Sequence, residues 1–317
     1  MSKSFFGIFT RGLAMGAADV VPGVSGGTIA FITGIYEELV DSIGRIDIKA
    51  LRLLFKEGIK SFFIYINGKF LISLLLGIGL SIVLLARFIT YLLATFPIVV
   101  WAFFFGLILA SAVFIGRDMN WKKSPELLAF AIGILIAYSI STMTPSGTEV
   151  SLVYVFVSGA IAICAMILPG ISGSFILLLL GSYSTVFGAI GHFTEDVASN
   201  APIIAAFGIG AIIGLLSFSK LLKYLFQNHR AYTIAVLTGF MLGSLAKVWP
   251  WKETLSTRIN SKGEEVPLLQ NNISPLRFQE ITGGDSQIFL ACISLIIGIA
   301  IVYFLARVDD KSKVARA

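Results

Sequence analysis

The sequence predicts an all-α polytopic membrane protein made of two inverted-topology repeats, each a broken, re-entrant helical hairpin followed by three transmembrane helices. Three observations predict it: an apolar composition outside the soluble range, a proline-glycine turn that occurs twice at matching positions, and basic residues gathered on alternate connections.

Of 317 residues, 56% are hydrophobic and 13% charged, with a mean hydropathy of +0.90. Apolar stretches at Phe70–Leu93, Ile98–Ile115, Leu127–Ile140, Ile203–Leu216, Tyr232–Leu245 and Ile288–Leu305 approach or exceed the ~20 residues that cross a hydrocarbon core of ~30 Å. Met1 to Thr10 lacks a signal-peptide core or cleavage site and reads as a retained segment. Cys164 and Cys292 each lie in an apolar stretch, which supports neither a disulfide framework nor a metal site; both read as small core residues. The net charge of +6 reports membrane topology before it reports nucleic acid, and no nucleic-acid partner is expected.

Comparing the chain with itself places Pro22-Gly23-Val24-Ser25-Gly26 on Pro169-Gly170-Ile171-Ser172-Gly173, an offset of 147 residues. Gly12, Gly34 and Tyr36 fall on Gly159, Gly181 and Tyr183 at the same offset. At an offset of 133, Arg87, Tyr91, Gly106 and Ser111 fall on Lys220, Tyr224, Gly239 and Ser244, so the first unit carries extra residues around its basic stretch from Arg45 to Lys60. A weaker match puts Gly133 and Tyr138 on Gly298 and Tyr303, after a polar insertion at 247–285. The units are residues 1–145 and 146–317.

Each unit then contains a hairpin broken at the proline-glycine turn and three ordinary spans. From Thr28 to Glu37 is ten residues, about 15 Å of helix, too short to cross, so the hairpin reads as re-entrant. Three crossings invert the second unit. With the amino terminus cytoplasmic, the inside segments hold Arg45, Lys49, Arg52, Lys56, Lys60 and Lys69, then Arg117, Lys122 and Lys123, then Lys220, Lys223 and Arg230, and finally Arg307, Lys311, Lys313 and Arg316. The short outside segments, Met143–Val150 and His192–Pro202, carry no lysine or arginine. Only the 247–285 loop departs from the rule, and long loops cross largely regardless of charge. Both termini are thus expected in the cytoplasm of a multi-pass protein.

In the segment from Asp19 to Thr28, proline ends one helix by removing an amide donor and the glycines allow close backbone approach. Ser25 or Thr28 can start the next arm, whose first amides need an acceptor and whose dipole favours an anion. Two such turns near a pseudo-two-fold axis would bring two half-helix N-termini to the midplane, as in inverted-repeat transporters. The plain alternative is a kink in which the serines satisfy freed backbone groups. Asp19, matched by Met166 in the second unit, is either a functional intramembrane carboxylate or the partner of Arg11 in a structural ion pair. Glu37 and Glu38 read as solvated end residues or as coupling groups. Arg87 and Lys220, inverted with respect to each other, suit a phosphate head group arriving from either leaflet, or simply snorkel. Only His192 and His229 are histidines, and no phosphate-binding loop or dinucleotide motif follows a predicted strand, so neither an enzyme nor a metal or cofactor is expected.

The stretch from Ala14 to Thr28, the stretch from Met166 to Ser174, and the Gly34-Ile-Tyr36 and Gly181-Ser-Tyr183 pairs resemble the bacterial polyprenyl-phosphate transporter family PopT over nearly the whole chain. That resemblance implies return of undecaprenyl phosphate, the C55 lipid carrier of cell-wall synthesis, from the outer to the inner leaflet of the bacterial cytoplasmic membrane. Taken with the paired half-helix N-termini and the cations near both faces, it leads to the expectation that Ser25, Gly26, Gly27 and Thr28 with Ser172, Gly173 and Ser174 take the phosphate, that Arg87 and Lys220 stage it, and that Asp19 with Arg11 serves gating or coupling. Rival readings are a secondary transporter of a small soluble anion and a membrane lipid-pyrophosphate hydrolase. Coupling ion, oligomeric state and the role of the 247–285 loop stay open.

Overall fold

The computed structural model describes residues 4–21, 24–117, 119–143, 151–259 and 265–314. Pro22 and Gly23 of the first turn, the 144–150 segment, and the side chains of Arg87 and of residues from 305 onward lie outside the described set.

The first half runs through α1 (Phe5–Asp19), α2 (Gly26–Ile32), α3 (Tyr36–Gly44), α4 (Ile48–Glu57), α5 (Ile59–Tyr65), α6 (Gly68–Thr95), α7 (Pro97–Gly116) and α8 (Ser124–Thr142). The second runs through α9 (Leu152–Ile167), α10 (Gly173–Leu179), α11 (Tyr183–Gly191), α12 (Val197–Asn228), α13 (Arg230–Gly243), the strands β1 (Lys252–Ile259) and β2 (Glu265–Asn272), α14 (Pro275–Thr282) and α15 (Ile288–Val314). Among the described residues, α6, α7, α8 and α12 are long and apolar enough to cross a membrane, while α9, the Arg230–Ala246 helix and Ile288–Phe304 are shorter apolar helices. Large apolar side chains face outward along these helices, among them Val83, Leu135, Ile212 and Phe289. In water such a surface would drive aggregation; against lipid tails it needs no cover.

Local chemistry sets the helix ends. Ser4 and Ser151 accept backbone N–H bonds at the starts of α1 and α9, and Pro97 opens α7, where its missing donor costs nothing. The arm expected to run from Thr28 to Glu37 stops at Ile32, because Gly34 turns to φ +64° and ends the helix. Gly181 does the same at φ +69° between α10 and α11, which lie at 114° to each other. Tyr36 begins α3 on the far side of that break and is fully buried, edge-on to Phe31 at 5.0 Å and Phe226 at 5.8 Å.

Four helix pairs, each parallel, carry the packing: α1 with α6, α9 with α12, α7 with α15 and α8 with α13. The last two cross between the halves, each half lending one helix to the other. The backbones touch where side chains are absent. A Cβ on Gly12 would strike the Leu74 carbonyl and one on Gly77 the Phe9 carbonyl; Gly159 meets Phe207 and Gly210 meets Phe156, the same contacts displaced by 147 and 133 residues. Likewise Gly106 meets the Leu295 carbonyl and Gly298 that of Phe103, while Gly239 meets Phe130 and Gly133 meets Val236. With no hydrophobic drive between helices in lipid, such close approach is what holds them.

The 247–285 insertion adds β structure to an otherwise helical chain: β1 and β2 pair antiparallel, Lys252 opposite Asn272 and Ile259 opposite Glu265. Trp249 Nε1 donates to the Ile273 carbonyl and Trp251 Nε1 to that of Ser286, both at 2.8 Å. Trp251 packs with Ile98, Ala102 and Ala291, pinning the hairpin over the shared end of α7 and α15.

Candidate functional site

The two proline-glycine turns meet. Ser25 Oγ donates to the Met166 carbonyl at 3.0 Å, with Leu168 O at 3.3 Å, and accepts from the Gly27 N–H at 3.1 Å. From the other side, the Gly170 N–H donates to Thr28 Oγ1 at 2.9 Å. Ser25 and Thr28 are buried, so these bonds are sheltered from water and fix one turn against the other. Gly27 sits where a side chain would strike the Ile167 carbonyl, and Gly173 where one would strike that of Ala162.

At the N-terminus of α2 an anion is already in place. Asp19 Oδ1 accepts from the Gly26 N–H at 2.6 Å, a short charge-assisted bond. Gly26 has to be glycine, because a Cβ there would lie 2.5 Å from Asp19 Oδ2. With Gly26 on Asp19 and Gly27 on Ser25, the first turn is closed and the first amides of α2 are taken. The second turn differs. Ser172 and Ser174 share a hydroxyl–hydroxyl bond at 2.9 Å, no side chain caps α10, and Ser174 is exposed. Gly170, at φ +88°, lies against Phe240 and Ser244.

Arg11 does not pair with Asp19. Its Nη1 donates to the Gly7 carbonyl at 2.9 Å and its Nε to the Thr33 carbonyl at 3.3 Å. The equivalent carbonyl of the second hairpin, Leu180, accepts from Tyr154 OH at 2.9 Å. Each short arm therefore has its last carbonyl held by a side chain from the first helix of its own half, a cation in one and a phenol in the other. Arg11 also lines an apolar cavity of about 370 Å³ between α1, α2, α7 and α15. Lys220 is exposed on α12 and is not hydrogen-bonded to either turn among the described residues. Its neighbour Lys223 bridges to Asp41 of α3 at 2.8 Å. Glu37 and Glu38 are engaged as well, Glu37 with Arg230 at 2.9 Å and Glu38 with the Asn67 amide at 3.2 Å.

Sequence reasoning missed two cations of the insertion. Lys247 Nζ lies 3.8 Å from the centre of the Phe175 ring, and Lys252 Nζ lies 4.1 Å from that of Trp101. Both flank the Trp249-Pro250-Trp251 segment, and that interleaving of cations with aromatics was the available signal.

The VCA0040-like family model, described as undecaprenyl phosphate translocase-like, matches residues 15–266. A polyprenyl-phosphate transporter of Vibrio cholerae serotype O1 is 50% identical over 310 residues, 98% of this chain and 99% of that protein. A polyprenyl-phosphate transporter of Staphylococcus aureus is 35% identical over 254 residues, 76% of this chain and 84% of that protein. No solved structure matches the chain.

Proposed function

The chain belongs to the undecaprenyl phosphate translocase-like family, and from that premise we propose that it carries undecaprenyl phosphate from the outer to the inner leaflet of the bacterial cytoplasmic membrane for cell-envelope recycling. The protein acts as a transporter and not as an enzyme. Its halves, residues 1–145 and 146–317, work as inverted repeats with both termini in the cytoplasm. The first hairpin enters from the inside and the second from the outside.

The observation that carries this reading is the hydrogen bonding between the two turns, Ser25 to Met166 and Gly170 to Thr28. Recurrence of the glycine crossings at the repeat offsets supports the internal symmetry, and an interface between repeats is where such transporters bind their cargo. In the arrangement described, the head group comes first to Ser172, Gly173 and Ser174, since Ser174 is the exposed hydroxyl. Asp19 stands in for the phosphate at α2 and keeps the Gly26 amide satisfied while the first turn is empty. Rocking one half against the other breaks the Ser25 and Thr28 bonds. Asp19 then yields the Gly26 amide, and Ser25 the Gly27 amide, to the phosphate, with Thr28 beside it, which makes Asp19 the gating group. Arg11 holds the far end of α2 during this exchange. Arg87 and Lys220 stage the head group near opposite faces, and the polyprenyl tail stays in lipid.

The test is leaflet-to-leaflet movement of undecaprenyl phosphate in vesicles containing the purified protein. Protein-dependent movement supports the reading. Uptake of a soluble anion without lipid movement would favour a secondary anion transporter, and release of inorganic phosphate from a lipid pyrophosphate would favour a hydrolase.

A further inference from the structure

Where α8 and α13 end, the β-hairpin closes over a cavity of about 520 Å³, well above the volume of one phosphate group. Lys247, Lys252 and Arg277 line it, with Tyr138 and Ser141 on the α8 side and Glu253 on β1. Lys247 and Lys252 are half-buried, and among the described residues neither makes an ion pair with a carboxylate. Lys252 Nζ gives one bond to the Lys247 carbonyl at 2.6 Å. Beyond that bond, the two ammonium groups rest on the rings of Trp101 and Phe175, which attract a cation without neutralising it. Two desolvated cations placed side by side without a counter-ion is a costly arrangement that a bound anion relieves. Phe175, which lines the cavity under Lys247, is on the first turn of α10, one residue after Ser174.

We propose that this cavity is a phosphate-monoester site, in which Lys247, Lys252 and Arg277 take the anion and pass it to Ser172 and Ser174. The proposal deepens the transport reading and rests on it for the source of the phosphate, which is a lipid head group in that reading and free phosphate otherwise. Lys247 is drawn down to about 8 by burial; Lys252 falls to about 7 through burial and, second, the charge of Lys247. Both lysines are cationic below these values and lose the proton above them. Anion binding therefore weakens as pH rises through about 7 to 8, from the side on which the phosphate is already mostly dianionic. Among the described residues, the other charged or titratable groups facing the cavity are Glu253, Arg277 and Tyr138.

The experiment measures binding of inorganic phosphate and of a water-soluble short-chain prenyl monophosphate to the full-length protein in zwitterionic nanodiscs. Binding is read from tryptophan fluorescence, since Trp101 lies under Lys252. Lys247→Gln and Lys252→Gln are each expected to weaken binding about tenfold, as loss of a charge-assisted bond does. The double Lys→Arg variant is expected to keep the affinity and lose its decline above neutral pH, which a merely structural role for the lysines would not produce. Wild-type affinity in the double Lys→Gln variant, with its melting temperature unchanged, would overturn the site, and if lipid transport persists in that variant the transport reading stands alone. Lysine-dependent binding of both probes at equal strength, with no lipid movement by the wild type, would support the phosphate site and overturn the lipid reading.

Discussion

Replacing Asp19 by alanine leaves the Gly26 N–H buried without its 2.6 Å partner. A hydrogen bond to a charged group contributes about 1.5–3 kcal/mol and a neutral one about 0.5–1.5. Asp19→Ala is therefore expected to cost about 2–3 kcal/mol. Asp19→Asn, which keeps an acceptor oxygen and loses only the charge, is expected to cost about 1 kcal/mol. Gly26→Ala acts on the same bond from the other side, because its Cβ would lie 2.5 Å from Oδ2 and 2.9 Å from Cγ of the carboxylate. The two changes should then be strongly non-additive: once Asp19→Ala has removed the carboxylate, Gly26→Ala should cost almost nothing more, a coupling of about 2 kcal/mol. Thermal unfolding of the purified protein, followed by fluorescence-detected gel filtration, reads this as shifts of roughly 2–4 °C per kcal/mol. Additive shifts in the double variant would refute the claim that the carboxylate caps α2, and with it the gating role of Asp19.

Gly298→Val drives a branched side chain into the Phe103 carbonyl and should cost about 3 kcal/mol by forcing α7 and α15 apart. Gly133→Val, against the Val236 carbonyl, should match it within the error of the same melting assay. Tyr154→Phe removes the 2.9 Å bond to Leu180 and should cost about 1 kcal/mol. Arg11→Met, which removes bonds to two carbonyls, should cost more, about 1.5–3 kcal/mol.

The helical membrane architecture was legible because hydropathy and period dominate a chain whose outer surface faces lipid. The Gly34-Ile-Tyr36 and Gly181-Ser-Tyr183 pairs were also legible as a repeated signature. What they do became clear only in three dimensions, where each glycine breaks an arm at positive φ. The contact between the turns was not legible, since Ser25 and Met166 are 141 residues apart in sequence and neither residue type names its partner. Asp19 stood out as an intramembrane carboxylate, but spacing along α1 suggested Arg11 as its partner. Backbone amides leave no trace in a sequence, and it was an amide, that of Gly26, which took the carboxylate. The β-hairpin was hidden for a different reason: Lys252–Ile259 and Glu265–Asn272 are polar strands without clean alternation, and Pro267 sits within the second.

The most direct test of the account is the rate at which undecaprenyl phosphate supplied to one leaflet of protein-containing vesicles reaches the other, compared between the wild type and the Ser25→Ala/Ser172→Ala double variant. The account predicts protein-dependent movement that the double variant loses while remaining folded by gel filtration. Equal rates in a folded double variant would remove the paired turns as the phosphate site. No movement in the wild type, with or without a pH gradient, would contradict lipid-phosphate transport itself.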